Sequence, residues 1–324
     1  VCHGQVNVLA ARRGLEGTSV LAGKHSGLER PTIPEHQEGT SMASTHLGPV
    51  LRLVPVPSIR FHEHPERRRT EKLLARLSAE KMLRNPPIVA SMSPGEYLLL
   101  DGANRVSAFK DLGLSHIAVQ VVDYGDDQIQ LRRWHHLLLE GGALDLRSAY
   151  AKIDGMSLKP VPQSEVFRRL ELREVFAALV DETQSCWGLF PQRPDDRYDL
   201  QLLLRVLENV VRGYEGRIQL ERIKLADPSD IPEVFSGRDH RLVLFPHFSK
   251  SELVQLVAQD LRIPTGITRH VIPGRALGLN LELGFLSELE DEQAKIEHFQ
   301  AYLDQLQLEG RIRFYQESVY ILNE

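Results

Sequence analysis

The residues best able to do chemistry in this sequence stand in one short run, LLLDGANRVSAFKDLG, where a strand-like stretch passes through Asp101-Gly102-Ala103-Asn104-Arg105 into a helix. A glycine at such a junction lets backbone N–H groups approach an anion closely. The positive end of the helix dipole faces the same point, and an arginine adds a two-pronged partner for phosphate. The run therefore suits a phosphate group. It also fits an ordinary turn between strand and helix, with Asn104 as the cap and Arg105 exposed. His62 and His64 have a His-x-His spacing that can bind metal from a strand, but no third ligand accompanies them. The two cysteines, Cys2 and Cys186, form no Cys-x-x-Cys, which leaves neither a disulfide framework nor a cysteine zinc site and fits a reducing, cytoplasmic setting.

The elements that must position this run are partly legible. LRLVPV and SIRF are short β-type runs set off by Pro55 and Pro57. Pro65 opens a charged amphipathic helix carrying Leu73, Leu74, Leu77 and Met82 on one side and ending near Asn85-Pro86. PPIVAS and EYLLL read as two strands joined by Ser93-Pro94-Gly95, followed by a helix over 106–112 that stops at Gly113, and by the strand HIAVQVVDY. Residues 126–139 read as one more strand. Further on the pattern predicts amphipathic helices over 164–181 and 195–214, strands in RIQLERI and RLVLF, and a helix over 250–260. An irregular polar stretch, 263–280, then precedes a helix over 291–308 and a hairpin around Gln316-Glu317. Its prolines and glycines suit no plain core element, and loops held by a scaffold often carry function. Residues 1–41 show no sustained period and read as a leader, or as sequence upstream of a true start at Met42.

Composition narrows the class. At about 150 residues per domain, 324 residues suggest two domains or one domain with large embellishments. With 42% apolar and 26% charged residues, collagen-like and wholly disordered chains are excluded. Lys and Arg number 39 against 44 Asp and Glu, a net charge of −5, so the global basic field that drives non-specific nucleic-acid binding is missing. No apolar run approaches the ~18 to 20 residues that span a bilayer, and no membrane helix is expected.

Taken together, the helix ending at Asn85-Pro86-Pro87-Ile88-Val89, the run from Leu100 through Asp101-Gly102-Ala103-Asn104-Arg105-Val106-Ser107-Ala108, and Gln120-Val121-Val122-Asp123-Tyr124 resemble the ParB/sulfiredoxin superfamily. Within it the sequence is most similar to the free L-serine kinases, which phosphorylate the amino acid itself to O-phospho-L-serine. The likeness covers about residues 51 to 140, and Gly266-Ile267-Thr268-Arg269-His270-Val271-Ile272-Pro273 is similar to a C-terminal segment those kinases share. The sulfiredoxin branch needs a cysteine in the loop, which Ala103-Asn104 lacks. The ParB partition branch would bring a DNA-reading helical domain and a basic balance, and neither is evident.

The resemblance implies an α/β (α+β) enzyme. A ParB/sulfiredoxin-like mixed-sheet nucleotide-binding domain would occupy 42–150, and a second α+β domain, 151–324, would help to enclose serine. It implies Glu63 as general base for the serine hydroxyl, and Asp101 as a catalytic carboxylate that holds Mg²⁺ directly or through water. Gly102, Ala103, Asn104 and Arg105 would join Asp101 on the nucleotide. Asn104 stands where relatives often have histidine, which leaves that position without an acid or base. Trp134 and His135 are the implied serine-pocket residues, with His136 turned away, and Thr268, Arg269 and His270 would supply a hydroxyl, a carboxylate-binding fork and a further donor. Phosphoryl donor and metal would be ATP or ADP and Mg²⁺; neither nucleic acid nor membrane is an expected partner, and oligomeric state is not legible. Arg67-Arg68-Arg69 reads as a solvated helix face. A rival reading is a nucleotide-responsive, ParB-like DNA-binding regulator that uses the terminal helix and hairpin as a wing-like reader.

Overall fold

Short alternating runs bounded by prolines build the first sheet. The computed structural model of the chain describes residues 49–139, 144–225, 227–235 and 240–314. In it LRLVPV becomes β1 (Val50–Pro55), a 3-10 turn at Val56–Ser58 follows, and β2 (Ile59–Phe61) buries Ile59 and Phe61 while exposing Arg60. Helix α1 (Arg67–Glu80) stops at Lys81, whose φ of 49° is left-handed, several residues before the predicted end. The residues released form β3 (Met82–Leu83) and the Pro86-Pro87 approach to the next strand. β4 (Ile88–Ser93) and β5 (Glu96–Asp101) make the expected hairpin, with Gly95 at φ 79° in its turn. Then come α2 (Ala103–Asp111) and β6 (His116–Val122). The strand order is β1-β6-β4-β5-β2, with β4/β6 and β2/β5 parallel and β1/β6 and β4/β5 antiparallel.

The single strand predicted over 126–139 is two, β7 (Gln130–Arg133) and β8 (His135–Leu138). Trp134 separates them because its N–H donates to Ile267 O at 2.8 Å, and the two strands join different sheets. Next are α3 (Leu146–Tyr150), β9 (Met156–Pro160), α4 (Gln163–Glu171), β10 (Ala178–Val180) and β11 (Cys186–Pro191). The helix predicted over 164–181 ends early: Arg173 takes φ 55°, and the buried run from Val175 to Val180 is too uniformly apolar for one helix face. Asp199 accepts from the N–H groups of Gln201 and Leu202, so α5 (Leu200–Arg212) starts there rather than at 195. β12 (Leu220–Ile223), α6 (Ile231–Val234), β13 (Arg241–Leu244) and α7 (Lys250–Ala258) complete a six-stranded sheet of order β12-β8-β13-β10-β11-β9 and its covering helices.

The stretch expected to be irregular contains β14 (Thr268–Val271), paired antiparallel with β7. β15 (Leu281–Glu282), α8 (Gly284–Glu288) and α9 (Glu292–Leu308) then return to the first sheet, where Leu281, Phe285 and Phe299 share a core with Phe61, Leu99 and Phe109. Of the predicted terminal hairpin, residues 311–314 are described and form no strand, and the rest of it and the leader lie outside the described residues. Among the described residues no helix is long and apolar enough to cross a membrane. The mixed-sheet α/β class expected from the sequence is the one observed.

A second core gathers Leu203, Leu207, Val210 and Tyr214 around the larger sheet and encloses His136. A carbonyl only accepts, so His136 Nε2 carries the proton it shares with Gly266 O at 2.8 Å, and Nδ1 accepts from Tyr214 O–H at 2.6 Å. Burial pushes this imidazole down to about 4. The neutral form is thus favoured by folding, and the stability it contributes is present above the ordinary value of about 6.5 and lost as pH falls from there toward 4, because the unfolded chain binds the proton first. The urea midpoint should fall across that window, and His136→Gln should flatten the fall by an amount on the order of 3 kcal/mol at its acid end; an unchanged slope would show that His136 titrates normally in the fold.

Candidate active site

Just past β2 the chain runs beside a distant segment. His64 N–H donates to Ile263 O at 3.0 Å and Ile263 N–H to His62 O at 2.8 Å. Between them sits Glu63, whose Oε1 accepts from Ile267 N–H (3.0 Å), Thr268 N–H (2.7 Å) and Thr268 O–H (2.8 Å). Its Oε2 takes no hydrogen bond among the described residues, and Glu63 lines a cleft of about 720 Å³. Gly266 makes the approach possible: its φ is 77°, and a Cβ there would fall 2.2 Å from Arg222 Nε. Arg222 on β12 donates to Glu66 Oε2 at 3.0 Å, and Arg69 meets the same oxygen at 3.0 Å. The 263–268 segment is therefore a strap laid across the end of β2.

Beneath Glu63 lie two buried histidines. His62 places Nδ1 2.6 Å from Leu99 O and Nε2 2.9 Å from Thr268 Oγ1, while His270 Nε2 accepts from Tyr124 O–H at 2.9 Å. Their rings meet edge to face at 5.2 Å. Burial pushes both imidazoles down, His270 to about 3, and the neighbouring Glu63 opposes part of the effect on His62.

The DGANR turn forms the facing wall. Gly102 has φ 101°, and a Cβ on it would come 2.9 Å from Pro87 Cβ, so only glycine fits. The first helical bond of α2 runs from Val106 N–H to Gly102 O, which leaves the N–H groups of Ala103, Asn104 and Arg105 without a partner among the described residues. Asn104 Oδ1 accepts from Glu66 N–H (2.9 Å) and Thr70 O–H (3.1 Å), so α2 caps the start of α1. Arg105 points into the protein: Nη1 donates to Asn85 O (2.8 Å) and Pro86 O (2.9 Å), and Nη2 to Asp101 Oδ2 (2.7 Å). Arg275, from the segment after β14, donates to the same Asp101 oxygen.

Trp134 and Arg269 line the cleft together, with the guanidinium 4.9 Å over the indole ring. Arg269 forms no ion pair among the described residues, whereas the Thr268 hydroxyl is engaged by Glu63 and His62. The fold thus brings Glu63, Asp101, Gly102, Ala103, Asn104, Arg105, Trp134, Thr268, Arg269 and His270 to one cleft. It does not bring His135, which is fully buried with Nδ1 accepting from Phe245 N–H at 3.1 Å. No group of three or more metal-ligating side chains occurs among the described residues, and His62, turned inward, leaves the His-x-His pair without a metal geometry. Seven arginines, from Arg69 to Arg275, line the cleft against three acids, Glu63, Glu66 and Asp101. Arg222 and Arg275 escaped the sequence reading because a lone arginine gives no signal until the fold places it, and Arg69, read with Arg67 and Arg68 as a solvated helix face, instead lines the cleft beside Glu66. Arg67, paired with Glu71, keeps to the solvated face predicted for it.

No protein-family model matches the chain. The ATP-dependent L-serine kinase SbnI of Staphylococcus aureus is 24% identical over 286 residues, covering 86% of this chain and 99% of its own length. The ADP-dependent L-serine kinase SerK of Thermococcus kodakarensis is 22% identical over 222 residues, covering 68% of this chain and 86% of its own. Among solved structures, a free serine kinase in complex with AMP superposes with a TM-score of 0.61 at 19% identity, over 74% of this chain and 94% of that one. The resemblance to the free L-serine kinases is borne out.

The bonds of Arg105 make a prediction about the protein alone. Arg105→Ala should lower its unfolding free energy by about 1.5 to 3 kcal/mol with no nucleotide present, the scale of a charged hydrogen bond. Equal urea midpoints for the variant and the parent would show that the guanidinium does not hold the 85–86 segment.

Proposed function

We propose that this chain is a free L-serine kinase that transfers the terminal phosphoryl group of ATP or ADP to the serine hydroxyl. One observation carries the reading: a carboxylate, Glu63, has one oxygen fixed by three donors and the other left without a partner among the described residues in an arginine-lined cleft. Such a carboxylate can take a hydroxyl proton at Oε2 without moving. The serine oxygen then bonds to phosphorus as the bond from phosphorus to the nucleotide's bridging oxygen breaks, and the displaced phosphate remains with the nucleotide. The three N–H groups at the start of α2, without partners among the described residues, and the guanidinium edges that Glu66 and Asp101 leave open suit the phosphates. Arg269, braced on Trp134, suits the serine carboxylate, a planar anion matched by a planar fork.

Mg²⁺ fits Asp101, whose Oδ2 holds Arg105 and Arg275 while Oδ1 takes no hydrogen bond among the described residues. Direct or water-mediated binding there, completed by phosphate oxygens and water, would neutralise charge on the phosphates. The relatives named as serine kinases support this reading over a DNA-binding regulator. A cytoplasmic protein, with nucleotide and free serine both at hand, is part of the proposal.

Incubation with L-serine, Mg²⁺ and either nucleotide, without DNA, should yield O-phospho-L-serine. Glu63→Gln should lower kcat by about 10²-fold or more while the nucleotide Kd stays near normal. Arg269→Ala should raise KM for serine and leave KM for nucleotide nearly unchanged. Parent-like turnover by Glu63→Gln would remove the carboxylate from the chemistry, and an unchanged serine KM would remove Arg269 from the pocket.

A further inference from the structure

The protons around the buried histidines can be counted. His136 has two contacts and two protons: its own on Gly266 O, and that of Tyr214 on Nδ1. His270 donates its ring proton to the Leu100 carbonyl and accepts one from Tyr124 O–H, again one proton for each contact. His62 differs. Its Nδ1 faces the Leu99 carbonyl at 2.6 Å and must carry the ring proton, so Nε2 of the neutral ring can only accept. Nε2 faces Thr268 Oγ1 at 2.9 Å, and Glu63 Oε1 faces the same hydroxyl at 2.8 Å. Two acceptors thus compete for one hydroxyl proton. Burial favours the neutral ring, so the contest persists near neutral pH.

A charged carboxylate is the stronger acceptor, and while Glu63 is ionised the hydroxyl belongs to Oε1. Once Oε2 has taken a proton, Oε1 is the carbonyl oxygen of a neutral acid and still accepts from the backbone N–H groups of Ile267 and Thr268. The Thr268 hydroxyl can then turn to His62 Nε2 by rotation about its C–O bond alone. We infer that His62 is a positioning residue that keeps Glu63 basic, by accepting the Thr268 hydroxyl whenever Glu63 holds the proton taken from substrate. The inference rests on the kinase reading for its substrate. The serine O–H proton goes to Glu63 Oε2, the new O–P bond forms as the bond to the leaving nucleotide breaks, Thr268 keeps its own proton and His62 gains none. Without an acceptor at position 62 the hydroxyl would stay on Glu63, favour its charged form and weaken it as a base.

Other charged groups surround both partners but do not take part in the exchange. Asp101 and His270 face His62, Asp101 being paired with Arg105 and Arg275. Glu66, Arg69, Arg222 and Arg269 share the cleft with Glu63. All are unchanged by substitution at 62 or 268, so they cancel in a comparison of variants.

The test is a titration of the Glu63 carboxyl by ¹³C NMR in the full chain without substrate, the signal being assigned by its loss in Glu63→Gln. His62→Leu should lower the midpoint by about half to one pH unit, a threefold to tenfold weaker base, and Thr268→Val should raise it. Added to Thr268→Val, His62→Leu should change nothing further. His62→Gln, whose amide oxygen can accept the hydroxyl, should move the midpoint back toward the parent's, and the acid limb of kcat/KM for phosphoserine formation should follow the same order. His62→Phe, closer in volume and equally unable to accept, takes the place of His62→Leu should that variant not fold. No shift on losing the ring, or the same shift with and without the Thr268 hydroxyl, overturns the inference. Absence of phosphoserine formation by the parent chain overturns the kinase reading instead, and the titration still decides the role of His62.

Discussion

The site depends on three hydrogen bonds to a single oxygen, Glu63 Oε1, donated by residues 204 and 205 positions further along the chain. They join the end of β2, in the first sheet, to the strap that leads into β14 and so to β7. A hydrogen bond to a charged group contributes about 1.5 to 3 kcal/mol net, and a buried donor left unmade costs about as much. The two segments therefore hold one another: without the carboxylate the strap loses the acceptor for two backbone N–H groups, and without the strap the carboxylate has no fixed direction. The same bonds that close the fold orient the free oxygen.

That arrangement explains which parts of the molecule were legible in the sequence. β1, β2, β4, β5 and β6 were readable because each is bounded by local signals, Pro55, Pro57, Ser93-Pro94-Gly95 and Gly113. β10 and β14 were not, because the first hides in an apolar run beside a helix and the second exists only by pairing with β7. Trp134 gives no local sign that it breaks a strand, since the carbonyl that draws its N–H away belongs to Ile267. The DGANR run could be read as a phosphate turn, yet the inward course of Arg105 could not, because its carbonyl partners lie 19 and 20 residues upstream. Glu63 came from resemblance rather than spacing. A glutamate before a helix is common, and its three donors are visible only in the fold.

Net charge proved a poor guide to the cleft for the same reason. A chain at −5 gathers seven arginines around one cavity against three acids, because α1, α2, β12, β14 and the segments that follow β3 and β14 all bring cations to it. Screening at physiological salt damps exposed charges beyond about 8 Å, so exposed acids farther away weigh little on a ligand within the cleft. Several of these arginines also have structural partners: Arg222 and Arg69 share Glu66, and Arg105 and Arg275 share Asp101. Such pairing fixes the guanidinium planes before any anion arrives, which lowers the entropic cost of receiving one.

Gly266 is where these constraints meet. Its carbonyl accepts from His136 in the second core, Arg222 lies against its Cα where no side chain would fit, and the next two residues donate to Glu63. A peptide held on both faces has little freedom to tilt, so the N–H groups that follow it keep their aim at Oε1 whether or not a ligand is present. The ordering is done during folding, in a core where the neutral state of His136 is secured by burial, and need not be repeated at each encounter with substrate. A base fixed in this way is reliable but stiff. Around Glu63 Oε1 the Thr268 hydroxyl can change partner without moving a heavy atom, and that is why its two competing acceptors matter for the chemistry.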